Sequence, residues 1–298
     1  MVNRALGAAL GITADRAFGE PALRPHPVAV LGSVLKLAES RMYADRRSAG
    51  VAHAALGTAL GAGAGLVLRS TSVATYLAVA GRALAEAALD VDRALSDGEL
   101  ERARSLLPTL VGRDPAGLDE AALCRAVVES VAENTVDAVV APGLWAATAA
   151  APGVLAHRAI NTMDAMVGHR SERYLRYGWA AARLDDAAAW IPARVTAGLV
   201  AACRPRMAGQ VRRVVLRDAP AHPSPNSGVA EAAFAAALDL RLGGESSYQG
   251  RIEHRPTLGD GRPPTRHDIG RAVRLSRDVS LTLAAVLAAA GLLAGRRR

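Results

Sequence analysis

The sequence predicts a mostly α-helical membrane protein with several spans. Hydrophobic residues make up 51% of its 298 residues and aromatic residues only 3%, because the apolar content is mainly Ala, Val and Leu. Ala and Leu are strong helix formers, and few runs show the alternation with a period of two that a strand requires. Long uncharged stretches then favour helices that cross a bilayer over helices of a soluble core.

Three candidate spans cover residues 50–68, 138–156 and 279–295, each close to the roughly 20 apolar residues that a bilayer requires. Residues 71–89 and 187–203 are weaker candidates because Arg82, Glu86 and Arg194 interrupt them. A soluble Ala-rich helical protein is the alternative interpretation, since Ala is only marginally hydrophobic. Arginines flank the last candidate on both sides, so the excess of positive charge on cytoplasmic loops gives no orientation.

The segments between the spans are amphipathic or polar. Residues 81–95 and 97–114 predict two amphipathic helices separated at Asp97-Gly98. Residues 204–277 form a polar region rich in Pro and Gly, in which we expect one helix over residues 230–240. The sequence contains no internal repeat or low-complexity linker, so we expect a single domain over residues 1–298.

Charge and cysteine content exclude some classes of function. The net charge is +8, but no basic stripe is interleaved with aromatic residues, so we expect no nucleic-acid partner. Cys124 and Cys203 are isolated in the sequence, which argues against a zinc site or a disulfide framework.

An acidic stripe stands at the start of the second candidate span. In ESVAENTVDAVV, Glu129, Glu133 and Asp137 follow one another at intervals of four, so a continuous helix would place them on one face. The rest of this helix is apolar, and carboxylate oxygens are ligands that suit Mg²⁺. The alternative is a solvated helix face.

Acidic, amide and arginine side chains alternate densely after this span, in HRAINTMDAMVGHRSERY and GWAAARLDDAAAWIPAR. Arginine presents a planar fork to phosphate or carboxylate, and aspartate can hold the metal ion that accompanies phosphate. Local ion pairs along the helices are the alternative. The residues that carry this hypothesis are Arg158, Asn161, Asp164, Arg170, Arg173 and Arg183.

Two loops add candidates. In HPSPNSG, prolines separate His222, Ser224 and Asn226, and a stiff polar loop before a helix N-terminus suits an anion. Asn226 or Ser227 would cap that helix, and a turn with a cap is the alternative interpretation. The second loop is the Gly-rich stretch over residues 242–250, which matches no standard phosphate-binding loop.

These motifs, with GEPALRPHPV near the N-terminus and LGGESSYQG near residue 245, occur in the order found in a known family. The chain resembles the adenosylcobinamide-phosphate synthase family, the CobD or CbiB proteins of cobalamin biosynthesis. It departs from the family pattern at Glu20, where aspartate is usual, at Ala138, where glycine is common, and at Ser227, where alanine is expected.

The resemblance implies a multi-pass protein of the cell (inner or plasma) membrane. The implied reaction joins aminopropanol, or its phosphate, to a propionate carboxyl of adenosylcobyric acid through an amide bond. Mg²⁺ and ATP are implied by the reaction type and the resemblance, since the sequence has no Walker-type loop. The implied partners are these substrates, membrane lipid and other corrinoid-pathway enzymes.

Amide formation from a carboxylate requires a metal ion, cations for phosphate and a base for the amine proton. We therefore expect metal ligation by Glu129, Glu133, Asp137 and Asp164. Contacts to phosphate, corrin carboxylates or other substrate groups are expected from Arg158, Asn161, Arg170, Arg173, Arg183 and Ser224. The expected catalytic residues are His222 as base, Asn226 as the residue that orients substrate, and Glu133.

Two other functions remain open at this point. A membrane transporter of a small polar or anionic solute would also place charged groups around broken apolar helices. A non-catalytic membrane scaffold for late corrinoid enzymes is the third interpretation.

Overall fold

The computed structural model describes residues 3–21, 23–112, 115–248 and 251–296, and it confirms a mostly helical fold. One two-stranded antiparallel sheet is present in this part of the chain. In chain order, the α-helices are α1 (Arg4–Phe18), α2 (Pro27–Met42), α3 (Arg47–Leu68), α4 (Thr71–Ala78), α5 (Gly81–Ser96), α6 (Leu100–Leu106), α7 (Glu120–Thr135), α8 (Ala141–Val167), α9 (Trp179–Cys203), α10 (Ala208–Asp218), α11 (Ser227–Leu238) and α12 (Arg266–Arg296).

The chain divides by its packing into two compact units. Unit 1 consists of Met1–Ala80, Asp137–Trp190 and Leu283–Arg298, and unit 2 consists of Gly81–Val136 and Ile191–Thr282. Unit 1 thus holds α1 to α4 and α8, whereas α5, α6, α7, α10, α11 and the sheet belong to unit 2. Helices α9 and α12 contribute residues to both units. The expectation of one domain over residues 1–298 stays a prediction.

Small residues bring α3 and α8 close together in unit 1. A Cβ atom at Gly61 would lie 2.4 Å from the backbone oxygen of Leu155, and one at Gly65 would lie 2.4 Å from the backbone oxygen of Ala151. Gly57 similarly accommodates the side chain of Met163. Close backbone approach at small residues is typical of helix pairs in membranes.

The acidic stripe and the second candidate span are not one regular helix. Helix α7 ends at Thr135, and a π-helical turn over Val136–Val140 separates it from α8. Helix α8 is kinked at Ala150, whose φ of 56° and ψ of −153° lie outside the helical region, and Pro152 follows. The prediction that Glu129, Glu133 and Asp137 share one helix face assumed a continuous α-helix, which the structure does not show at Asp137. The shared face stays a prediction.

Unit 2 is built around α11, whose residues from Gly228 to Leu238 are all buried. Helices α7 and α10 pack against it, and α5 and α6 complete the helical part. The predicted break at Asp97-Gly98 is confirmed, since α5 ends at Ser96 and α6 begins at Leu100.

Two expectations for residues 204–277 are corrected. The region contains two complete helices, α10 and α11, instead of one over residues 230–240. The stretch from Leu242 is not a loop but strand β1 (Leu242–Tyr248), which pairs antiparallel with β2 (Arg251–Leu258). Gln249 and Gly250, which end the predicted Gly-rich loop, lie outside the described residues.

Three helical segments are long and apolar enough to cross a membrane: Arg47–Leu68, Glu120–Val167 and Arg266–Arg296. They contain the three candidate spans of the sequence. Helix α3 also exposes large apolar side chains, including Val51, Leu56 and Val67. A water-soluble protein would be expected to bury such side chains. The weaker candidate at residues 71–89 is not one helix, because α4 ends at Ala78 and α5 begins at Gly81.

Candidate functional site

In unit 1, one amide links two carboxylates from different segments. Asn161 on α8 donates from Nδ2 to Oδ2 of Asp137 at 3.3 Å and to Oδ1 of Asp185 at 3.4 Å. Asp137 lies in the π-helical turn and Asp185 on α9. We call Asp137, Asn161, Asp164 and Asp185 the aspartate cluster. Three of its members are predicted site residues, and the fourth, Asp185, is not among the predictions.

The aspartate cluster concentrates negative charge in a partly buried place. Burial raises the pKa of Asp185 well above its usual range, and the nearby carboxylates of Asp137 and Asp164 raise it further. The guanidinium of Arg158, also on α8, interacts electrostatically with Asp137 and Glu20. Its Nε is buried without a hydrogen-bond partner among the described residues. The cluster therefore suits a cation, with one arginine donor beside it.

A glycine leaves room for one carboxylate of this cluster. A Cβ atom at Gly168 would lie 1.8 Å from Oδ1 of Asp164, so the carboxylate occupies the space that any side chain at residue 168 would take. Because this residue ends α8, the close approach fixes where the Asp164 carboxylate lies relative to the helix end.

In unit 2, the two glutamates of α7 accept hydrogen bonds from distant parts of the chain. Oε1 of Glu129 accepts from the backbone N–H of Gly243 at 2.9 Å, and Arg125 lies 3.9 Å from the same oxygen. Oε1 of Glu133 accepts from the Ser227 hydroxyl at 2.7 Å. Ser227 is one of the three departures from the family pattern, and its hydroxyl is the donor to the predicted catalytic residue Glu133.

The His222 loop is held by its own polar groups. His222 is buried, and its Nδ1 lies 3.1 Å from both the backbone N and the backbone O of Ser224. Its Nε2 lies 3.9 Å from Oε1 of Glu231, a fully buried carboxylate on α11. Burial lowers the pKa of His222, and the bond to Ser224 opposes that shift. The imidazole is therefore mainly neutral at pH 7.

The cap of α11 differs from the expectation. The N-cap residue Asn226 makes no side-chain cap bond, and Oγ of Ser224 accepts from the backbone N–H groups of Asn226 and Ser227 at 3.3 and 3.1 Å. Oδ1 of Asn226 instead accepts from Arg194 at 3.0 Å. The predicted capping by Asn226 or Ser227 is wrong, because Oδ1 of Asn226 accepts from Arg194 and the Ser227 hydroxyl donates to Glu133.

Three predicted arginines do not contact the aspartate cluster among the interactions of the described residues. Arg173 extends over Tyr43 and approaches Glu39 at 3.4 Å. Arg183 is exposed and lies 3.9 Å from Asp186, and Arg170 is exposed in the segment between α8 and α9. Glu39 is a buried carboxylate that the sequence motifs gave no reason to select.

The four predicted metal ligands fall in different units. Asp137 and Asp164 belong to unit 1, and Glu129 and Glu133 belong to unit 2. Across the described residues, no group of three or more His, Cys, Asp or Glu side chains has the arrangement of a metal site. Metal ligation by these residues stays a prediction.

Comparison with known proteins places these residues in a family. A family model described as CobD/Cbib protein matches residues 8–276. The chain belongs to this family. It is 49% identical over 309 residues to the cobalamin biosynthesis protein CobD of Mycobacterium tuberculosis, which covers 99% of the chain and 97% of that protein.

Other members of the CobD/Cbib family are also similar over most of the chain. The cobalamin biosynthesis protein CobD of Chromobacterium violaceum is 41% identical over 307 residues, covering 97% of each protein. The Geobacter metallireducens protein of the same name is 41% identical over 269 residues, covering 84% of the chain and 85% of that protein. No solved structure gives a significant match.

Proposed function

We propose that the chain is an amide-forming ligase of cobalamin biosynthesis in the cell membrane. It would join aminopropanol, or its phosphate, to a propionate carboxyl of adenosylcobyric acid at the expense of ATP. The observation that carries the proposal is the match to proteins named cobalamin biosynthesis protein CobD over nearly the whole length. The three long apolar helices support the membrane location.

The aspartate cluster supports the use of Mg²⁺. Mg²⁺ usually keeps several waters and takes one or two protein carboxylates together with substrate phosphates, so a full cage of protein ligands is not required. Asp137 and Asp185, held through Asn161, provide such a carboxylate pair. When bound there, the ion would supply charge neutralisation at phosphate oxygens. Asp164 is the further predicted ligand within unit 1.

Arg158 fits the role of a phosphate or carboxylate contact in unit 1. Its Nε is a buried donor without a hydrogen-bond partner among the described residues, and such a donor gains most from an anionic ligand. Asp137 and Glu20 hold the guanidinium beside the cluster by their charge. Glu20 keeps the carboxylate of the family's usual aspartate with one more methylene.

Proton removal from the amine is the role that we assign to His222 of unit 2. In the reaction, a propionate carboxylate oxygen takes the γ-phosphoryl group of ATP and ADP leaves, which gives an acyl phosphate. The amine nitrogen then forms a bond to the acyl carbon, the bond from that carbon to the phosphate oxygen breaks, and phosphate leaves with the electron pair. The amine proton passes to Nε2 of His222, because Nδ1 is engaged by Ser224. Glu231, 3.9 Å from Nε2, stabilises the imidazolium.

The experiment that tests the proposal uses the full chain purified in detergent. Adenosylcobyric acid, Mg²⁺, ATP and either aminopropanol or its phosphate are supplied, and the amide product and ADP are measured. Product that depends on all four components supports the ligase. No product with either amine, from protein that remains folded, contradicts it.

A transporter is the second candidate, and the broken helix α8 is the observation that favours it. Kinked apolar helices next to charged groups line the substrate paths of many transporters. Reconstituted vesicles separate the two functions. Uptake of aminopropanol or a corrinoid without amide formation favours transport, whereas amide formation without accumulation favours the ligase.

A further inference from the structure

A buried carboxylate in unit 1 lies against two tyrosines and one exposed arginine. Glu39 on α2 is 7% exposed, and its Oε1 accepts from the Tyr174 hydroxyl at 2.8 Å. Nη2 of Arg173 lies 3.4 Å from the same oxygen. The sequence motifs that suggested the reaction assign no role to Glu39, Tyr43 or Tyr174.

The rings of Tyr43 and Tyr174 both lie beside the guanidinium of Arg173. Cζ of Arg173 lies 4.2 Å from the centroid of the Tyr43 ring and 5.4 Å from that of the Tyr174 ring. The two rings are edge to face at 6.5 Å. A carboxylate beside two aromatic rings attracts organic cations, because its negative charge and the negative faces of the rings both attract a positive group.

Arg173 is held more loosely than the groups around it. Its side chain is 56% exposed, whereas that of Glu39 is 9% exposed. The 3.4 Å separation is longer than the roughly 2.7–2.9 Å of a strong charge-assisted hydrogen bond. The backbone is anchored independently, since the Tyr43 hydroxyl donates to the carbonyl oxygen of Arg173 at 3.0 Å. The guanidinium can therefore leave Glu39 without release of the loop.

We propose that Glu39, Tyr43 and Tyr174 bind the ammonium group of a small primary amine, and that Arg173 occupies this site until the amine displaces it. This inference rests on the proposed function, because the amine would be the aminopropanol substrate. An ammonium carries the same charge as the guanidinium and is compact, so it fits between the rings and reaches Oε1 directly. The site would hold the amine in its charged form before the amine loses its proton and reacts.

A neighbouring hydroxyl supports an amino alcohol as the ligand. The Tyr177 ring lies 5.2 Å from that of Tyr43, and its hydroxyl is buried without a hydrogen-bond partner among the described residues. A buried hydroxyl without a partner costs free energy that a polar ligand recovers. The alcohol oxygen of aminopropanol is such a group.

The test measures binding of 1-amino-2-propanol to the detergent-purified full chain by calorimetry, with 1,2-propanediol as the uncharged analogue. Glu39→Gln should weaken amine binding at least tenfold, and the diol should bind equally weakly to both proteins. Arg173→Gln should tighten amine binding severalfold, because it removes the competing cation. These opposite changes in amine affinity distinguish a binding site from a purely structural ion pair. If the ion pair only holds the loop in place, the amine affinity should be unchanged in both variants or reduced equally in both.

A second pair of variants keeps the test decisive if Glu39→Gln does not fold. Tyr43→Phe retains the aromatic face and should bind the amine nearly as well as the wild type, whereas Tyr43→Leu should bind it severalfold more weakly. Equal affinity in these two variants would overturn the proposal. The ligase assay separates the two hypotheses: binding without amide product contradicts only the reaction, and amide formation with an unchanged amine KM in Glu39→Gln contradicts only this site.

Discussion

At the scale of single residues, Asn161 carries the connection between the carboxylates of unit 1. Its spacing from Arg158 and Asp164 on one helix was visible in the sequence, because residues three apart lie on the same side of a helix. Its second partner, Asp185, was not predictable from spacing. The two residues are 24 positions apart, and only the packing of α9 near α8 brings them together.

We expect Asn161→Leu to raise the Mg²⁺ concentration for half-maximal amide formation about tenfold, a loss of roughly 1.4 kcal/mol. The amide orients Asp137 and Asp185, and leucine is similar in size but cannot donate a hydrogen bond. The measurement is a Mg²⁺ titration of the ligase rate. Thr162→Val, on the same helix, is the control and should leave the titration unchanged. Identical curves for all three proteins would remove Asn161 from the metal site.

The pH dependence of the reaction follows from the burial of His222. Its pKa is lowered from the ordinary value of 6.5, so the base stays deprotonated to lower pH than a free imidazole. We expect kcat/KM, calculated on the concentration of neutral amine at each pH, to fall on the acid side only below pH 6.5. His222→Gln should lower the rate about 100-fold and abolish this acid limb. An acid limb above pH 6.5, or one that survives the substitution, would exclude His222 as the base.

At the scale of elements, a π-helical turn interrupts the helix that carries the acidic stripe. Intervals of four residues correctly place Glu129 and Glu133 on one helix, but the inference to Asp137 assumed an unbroken α-helix. Pro142 lies two residues after this turn and has no N–H to donate to the carbonyl of Ala138, which instead accepts from the backbone N–H of Ala80 at 3.0 Å. The sequence therefore contains a local signal of the break, which the spacing of the carboxylates does not take into account.

The contact between α3 and α8 gives a matched pair of variants. Gly61→Ala places a Cβ atom 2.4 Å from the backbone oxygen of Leu155, whereas a Cβ atom at Gly63 meets nothing within 4 Å. We expect Gly61→Ala to lower the free energy of unfolding by about 1–3 kcal/mol, as overpacking does elsewhere. Gly63→Ala should leave it unchanged or raise it slightly, because alanine favours the helix. Thermal unfolding in detergent measures both, and equal stabilities would contradict the close approach.

At the scale of the whole molecule, the apolar helices predict how the protein fractionates. Arg47–Leu68, Glu120–Val167 and Arg266–Arg296 meet the length and hydropathy of membrane spans. We expect the protein to stay in the pellet when cell membranes are washed with alkaline carbonate, and to dissolve in mild detergent. A peripheral membrane protein of the same cells is the control that should be released. Recovery in the carbonate supernatant would favour the soluble Ala-rich alternative.

The division into two units and the β1–β2 pair were beyond the reach of the sequence. Helical content follows from Ala and Leu composition, and the candidate spans follow from uncharged runs, so both were predicted. Strand β1 begins Leu-Gly-Gly, which lacks the β-branched residues that mark strands, and its pairing with β2 is a contact that composition does not reveal. The partition of the predicted ligands between units likewise depends on long-range packing.

The glycines between α3 and α8 also constrain how this chain can change over time. Glycine is already the smallest residue, so every substitution at Gly61 or Gly65 adds atoms where the facing backbone leaves no space. A second substitution to a smaller residue on the facing helix would not make room, because the atoms in the way belong to the backbone and not to a side chain. We therefore expect the glycines of this contact between α3 and α8 to change little in evolution.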